Sequence, residues 1–214
     1  MRRLAPAAAL LLATLSPAPG LADAAWDGLS TPAFDVAGRR EGLPHPIVTA
    51  LGQDGDGFIW AGTQGGLARY DGIGFRTYRA DPGDPGSLPD SYVLALHTDR
   101  DGRLWVGTAG GGAAWLDRAR DRFVRVPVGE GGLPSPVVQA FADDGAGGVW
   151  AGTRGGLAHL PREGAPRLVE GLPDKRVMSL LRDAAGTLWV GTPSGLARLD
   201  GGGAPVAAGP AGLP

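Results

Sequence analysis

An all-β fold built from one repeated four-stranded unit is predicted by three observations. A Trp-x-Gly-Thr motif recurs at Trp60, Trp105, Trp150 and Trp189, at spacings of 45, 45 and 39 residues. A Leu-Pro pair precedes each copy, at Leu43-Pro44, Leu88-Pro89, Leu133-Pro134 and Leu172-Pro173, and returns at Leu213-Pro214. Most of the 38 glycines keep fixed distances from the tryptophans, as tight turns between short strands require. Without that period, 38 glycines and 19 prolines in 214 residues would read as a low-complexity chain.

The chain opens on an export signal: Arg2 and Arg3 supply positive charge, Leu4 to Leu15 form an Ala/Leu-rich run, and Ala22-Asp23-Ala24 is an A-x-A cleavage site. The run is shorter than the roughly 20 residues that cross a bilayer. Residues 1–24 are therefore read as a signal peptide, 25–40 as a lead-in, and Ala33-Phe34-Asp35-Val36 as an orphan outer strand. Repeats follow at 41–86, 87–131, 132–170 and 171–211, with the start of a fifth.

Within each repeat the first strand carries Val48, Val93, Val138 or Val177, then a small residue at Ala50, Ala95, Ala140 or Ser179. Small side chains suit an innermost strand, where blades converge on an axis. An aspartate six residues before each tryptophan (Asp54, Asp99, Asp144, Asp183) and a glycine three before it (Gly57, Gly102, Gly147, Gly186) mark a type I turn into strand two. A glycine turn then leads to strand three, which reads Leu67 to Tyr70, Leu157 to Leu160 and Leu196 to Leu199, while unit two departs with Gly112-Ala113-Ala114-Trp115. Strand four is weaker, clearest at Phe75 to Tyr78 and Phe123 to Val126 and poor at Pro205 to Ala208. Four antiparallel strands per 39 to 45 residues match one β-propeller blade per repeat, since a helical solenoid would show a 3.6-residue period. About four blades plus an N-terminal strand are expected, as part of a larger ring.

Taken together, Gly-Leu-Pro, a Val/Ala strand, Asp-x-x-Gly-x-x-Trp-x-Gly-Thr and Gly-Leu-Ala-Arg-Tyr-Asp, best copied over Gly42 to Asp71, resemble the two-component regulator propeller repeat. The resemblance runs from Ala33 to Pro214. It implies an about seven-bladed periplasmic sensor propeller whose intact receptor is anchored in the inner membrane and signals through a histidine kinase or diguanylate cyclase. The chain departs from that plan in carrying no kinase motif, no GGDEF motif and too few blades.

Charge and composition narrow the function. A net charge of -2, with 20 basic residues dispersed among 22 acidic ones, offers no footprint for nucleic acid. The absence of cysteine removes disulfides, thiolate metal sites and cysteine nucleophiles. The tryptophans, one per blade on the same strand, are expected to pack between blades rather than to stack on sugars. Asp54-Gly55-Asp56-Gly57 and Asp99-Arg100-Asp101-Gly102 hint at calcium, but units three and four lack the second carboxylate, and a hairpin turn accounts for all four copies. His45, His97 and His159 show no metal-ligand spacing and are expected to be solvated, with His159 aligned to Arg69, Ala114 and Arg198. No catalytic residue, cofactor or metal is expected.

Topology selects the ligand face. With strands in order, the turn after strand two and the link from strand four to the next strand one share a face opposite the Asp-x-x-Gly turn. Residues that vary there between repeats, namely His45, Gln64, Asp90, Tyr92, Arg154, Asp174 and Arg176, are the candidate ligand-binding set, a mixed-charge rim suited to a polar small molecule such as a glycan. The leading expectation is a non-enzymatic sensing domain whose partners are that ligand and downstream signalling domains. The competing expectations are a propeller lyase or glycosidase and an envelope protein-binding scaffold.

Overall fold

A computed structural model describes residues 36–199 and 206–207. The expected signal peptide, the lead-in as far as Asp35, and the fifth Leu-Pro all lie outside the described residues; Val36 belongs to no strand.

The described residues form sixteen strands in four antiparallel four-stranded sheets, with a single 3-10 turn at Arg39–Glu41. Blade 1 contains Val48–Gln53 (β1), Ile59–Thr63 (β2), Gly66–Tyr70 (β3) and Phe75–Tyr78 (β4). Blade 2 contains Val93–Thr98 (β5), Leu104–Thr108 (β6), Ala113–Asp117 (β7) and Arg122–Arg125 (β8). Blade 3 contains Val138–Asp143 (β9), Val149–Thr153 (β10), Gly156–Leu160 (β11) and Arg167–Val169 (β12). Blade 4 contains Ser179–Arg182 (β13), Leu188–Thr192 (β14), Gly195–Leu199 (β15) and Val206–Ala207 (β16). Strands pair in sequence order within each sheet, and the first strands of successive blades lie side by side, β1 on β5, β5 on β9 and β9 on β13. This is the architecture of a partial β-propeller.

Each residue of the Trp-x-Gly-Thr motif has a separate physical duty. Trp60 is fully buried among Leu88, Val93, Leu104, Val106 and Phe123 of blade 2, and Trp105 packs the same way onto Val138, Phe141, Val149 and Ala151 of blade 3. The core is thus a series of inter-blade layers. Glycine follows because the next blade arrives at that point: a Cβ on Gly62 would lie 2.6 Å from Val93 Cγ1, and one on Gly152 equally close to Val177 Cγ1. Threonine locks the turn after strand two, its hydroxyl donating to the carbonyl of Gly66, Gly112, Gly156 or Gly195 at 2.7–2.8 Å. In the first three blades it also accepts a backbone N–H from within that turn.

The register corrects one alignment. Trp60 pairs with Arg69, Trp150 with His159 and Trp189 with Arg198, whereas Trp105 pairs with Trp115. Trp115, not Ala114, is therefore the counterpart of His159. The turn after β6 holds one residue more than the others, Ala109 to Gly111, which shifts the third strand of unit two by one place.

Candidate functional site

The seven rim residues lie on the turns and links of one face, but they do not converge. Gln64 Nε2 donates to Tyr92 Oη at 3.2 Å, joining blades 1 and 2. Three others, together with Ser135 of unit three, share a local duty. The residue after each Leu-Pro accepts the backbone N–H two places on: His45 Nδ1 from Ile47 at 3.1 Å, Asp90 Oδ1 from Tyr92 at 3.0 Å, Ser135 Oγ from Val137 at 3.2 Å, and Asp174 Oδ1 from Arg176 at 2.8 Å. The side chain varies while the acceptor function persists, because each link must turn into strand one without leaving that N–H unpaired. Asp174 also accepts from Ser194 Oγ at 3.2 Å. The Arg176 N–H bond, ahead of the hydroxyl of Ser194 and the charge of Arg176, holds its carboxyl below the usual range. Arg154 and Arg176 remain exposed, so the rim presents Gln64, Tyr92 and these two cations outward.

The opposite face carries the Asp-x-x-Gly turns, and its geometry explains the six-residue spacing to tryptophan. Asp54 Oδ1 accepts the N–H groups of Asp56 and Phe58 at 3.0 and 3.1 Å, while Oδ2 accepts the Trp60 indole N–H at 2.7 Å. Asp99 binds Asp101, Arg103 and Trp105 in the same way at 2.9–3.0 Å, and Asp183 binds Thr187 and Trp189. One carboxylate thus closes the hairpin and satisfies the buried indole, a polar group that is costly to leave unpaired. In blade 3 His159 takes the tryptophan's place: its Nε2 lies 2.9 Å from Asp144 Oδ2, and its ring lies 4.4 Å from that of Trp150. Burial raises the Asp144 carboxyl, but the His159 bond and the N–H groups of Ala146 and Gly148 outweigh it and leave the pKa lowered.

One expectation about this face needs correction. His97 and His159 are not solvated: each is mostly buried against an aromatic ring, Phe141 and Trp150, and each faces an aspartate, Asp143 at 3.4 Å and Asp144. The second carboxylates of units one and two face cations of the next blade. Arg118 of blade 2 reaches Asp56 and, at 3.0 Å, Asp54 of blade 1; Arg162 of blade 3 reaches Asp101 of blade 2 at 2.8 Å. Unit three has Ala146 at that place, and the sequence after β15 offers Gly201 where Arg118 and Arg162 stand. Carboxylate and arginine therefore occur together or not at all, the pattern of an inter-blade clamp. Among the described residues no group of three or more Asp, Glu or His converges as metal ligands do.

A third lock sits on the outer rim. Asp121 has a left-handed backbone, φ 52°, and is gripped by Arg76 and by Tyr78 Oη at 3.0 Å from the neighbouring blade. Burial, then the Asp121 bond, pushes the Tyr78 hydroxyl up to about 12.

Clefts open between these locks. One of about 470 Å³ lies between the turns of blades 1 and 2, lined by Asp56, Arg103, Trp115 and Arg118. Another, of about 360 Å³, lies where blades 2, 3 and 4 meet and is lined by His97, Arg100, Phe141, Asp143, Leu181 and Arg182. Neither includes a residue of the rim set. The sequence signal that could have pointed to them is departure from the repeat, as at Trp115 and His97.

The profile of the two component regulator propeller family matches residues 42–65, 87–110 and 171–194. No curated protein matches the chain. Among solved structures, the extracellular domain assigned to a hybrid two component system of B. thetaiotaomicron superposes with a TM-score of 0.72 at 22% identity, covering 81% of this chain and 26% of that one. A second such domain from the same organism gives 0.60 at 22% identity, over 72% and 23%. Virginiamycin B lyase from Staphylococcus aureus gives 0.60 at 15% identity, over 77% and 56%. The chain thus spans about a quarter of the length of the first two, and at these identities the likeness is one of fold. No helix among the described residues is long and apolar enough to cross a membrane.

Proposed function

From the premise that blades 1, 2 and 4 carry two component regulator propeller repeats, we propose that this chain is the periplasmic ligand-sensing propeller of a bacterial signal-transduction receptor, of two-component or cyclic-di-GMP type. The observation that supports this reading most is the superposition, over 81% of the chain, on an extracellular domain assigned to a hybrid two component system. Residues 1–24 direct export and are cleaved after Ala24. The domain is not itself an enzyme; it binds a polar small molecule of the glycan class on the rim that bears Gln64, Tyr92, Arg154 and Arg176, with His45, Asp90 and Asp174 shaping the links beneath. Occupancy passes a conformational bias to downstream signalling domains.

The test is a thermal-shift screen of envelope and dietary saccharides against the chain recovered from the periplasm. Saturable stabilisation by at least one saccharide is expected, reduced about tenfold or more in affinity by Tyr92→Ala or Arg154→Ala. Turnover of a saccharide or lactone, rather than binding, would replace the sensing domain with a propeller lyase or glycosidase. Saccharide binding that ignores both substitutions would move the site off the rim.

A further inference from the structure

Repeat proteins reveal which residues serve the fold, because those residues recur. Near the Asp-turn end of the innermost strand, three positions do not recur. The place paired with tryptophan holds Gly52, His97, Ala142 and Leu181. The next place along holds Gln53, Thr98, Asp143 and Arg182, and the first residue after each turn aspartate is Gly55, Arg100, Gly145 or Ala184. Only four of these twelve residues titrate, namely His97, Arg100, Asp143 and Arg182, and all four line the one cleft of about 360 Å³ shared by blades 2, 3 and 4. Nothing in the repeat demands them there.

Their partners show what the cleft lacks. Asp183, also on the wall, is filled by the Thr187 N–H at 2.9 Å and the Trp189 indole at 2.8 Å, and Asp143 faces His97. Arg100 spends one N–H on the Gly145 carbonyl at 3.0 Å. The Arg182 guanidinium has no hydrogen-bond or ion-pair partner among the described residues. Phe141 and Leu180 line the same cleft and supply its apolar surface. A cation fork with open donors is the group that pairs bidentately with a carboxylate.

We propose that this cleft is a binding site for a small organic carboxylate with an apolar body, the carboxylate held by Arg182 and Arg100 and the body laid against Phe141 and Leu180. The site lies on the face opposite the rim and does not depend on the ligand bound there.

The probe is phenylacetate, titrated calorimetrically into the 214-residue chain, with phenylacetamide as the uncharged control. Saturable binding of the acid is expected, at least about tenfold tighter than the amide, lost in Arg182→Gln and retained in the rim variant Arg176→Gln. Melting curves report whether Arg182→Gln is folded; should it not be, Arg182→Lys, which keeps the charge but not the fork, is expected to weaken binding several-fold. Equal binding of acid and amide, no binding of either, or an acid affinity indifferent to Arg182 overturns the site. Saccharide binding at the rim is read separately through Tyr92 and Arg154, so either proposal can fail without the other.

Discussion

Blades 1 and 2 are built from the same pattern, yet the faces they turn toward a preceding neighbour have opposite fates. In blade 2, Val93, Leu104 and Val106 are 0% exposed beneath Trp60 and Leu67 of blade 1. Of their counterparts in blade 1, Val48 is 41% and Ile59 42% exposed while the small Ala61 stays buried, and beside them Leu51 is 70% exposed. The far end repeats the contrast, with Ala142 covered by blade 4 and its counterpart Leu181 exposed at 65%. The difference teaches that the hydrophobic pattern belongs to the junction between blades, not to the blade. A four-bladed arc, unlike a closed ring, leaves one half-junction bare at each end.

The strongest way to break this comparison is to truncate the same residue inside and at the edge. Trp105→Ala should cost about 3–5 kcal/mol, as for a large aromatic removed from a core. Trp189→Ala, on the bare end face, should cost less than about 1.5 kcal/mol on the area argument. Denaturant titration of both variants measures the gap, and equal losses would mean that the end face is covered.

Bare apolar sheet faces favour self-association. Light scattering on the isolated chain should therefore report oligomers. The double variant Leu51→Glu and Leu181→Glu should move the chain toward monomer while shifting unfolding free energy by no more than about 0.5 kcal/mol, the usual reach of a surface change. A native chain that is already monomeric would contradict the open arc.

The smallest expected effect sharpens the comparison within the interior. Asp144 has a folded-state pKa below its unfolded value, so the stability it contributes is present above the ordinary aspartate pKa of about 3.9 and is lost as pH falls through the depressed folded value. Acid titration of the wild type should show this loss, and Asp144→Asn should flatten it over the same range. An unchanged acid limb would assign the loss elsewhere.

Much of the fold was legible in the sequence because the period is physical. Trp60 recurs at Trp105 since each blade needs the same wedge, and Asp54 to Gly57 recurs since each hairpin needs the same turn. Less was legible where a residue acts across a blade boundary. The fixed distance from Asp54 to Trp60 was visible, but read as turn chemistry alone it concealed the carboxylate-to-indole bond. Asp56 resembled half of a calcium loop until Arg118, 62 residues on, came to face it. One extra turn residue after Thr108 hid the equivalence of Trp115 and His159, because a gapless alignment of the repeats is then out by one place and assigns every following side chain to the wrong face. At the rim, variation among His45, Asp90, Ser135 and Asp174 looked like ligand diversity, whereas all four are acceptors for the same backbone group.

The inter-blade clamps carry a consequence for how such a chain can be rearranged. Gly62 against Val93 and Gly152 against Val177 are interchangeable contacts, so recombination between repeats could delete or duplicate a blade and still seat each tryptophan in a fitting pocket. The ion pairs are not interchangeable. Excising blade 2 would bring Arg162 to Asp56 and preserve a match, but excising blade 3 would join Asp101 to a repeat whose sequence carries no arginine at the place of Arg118 and Arg162. The Asp–Arg pairs thus work as an address written on otherwise identical parts, and they make some edits of the gene nearly silent while others leave an unpaired charge behind.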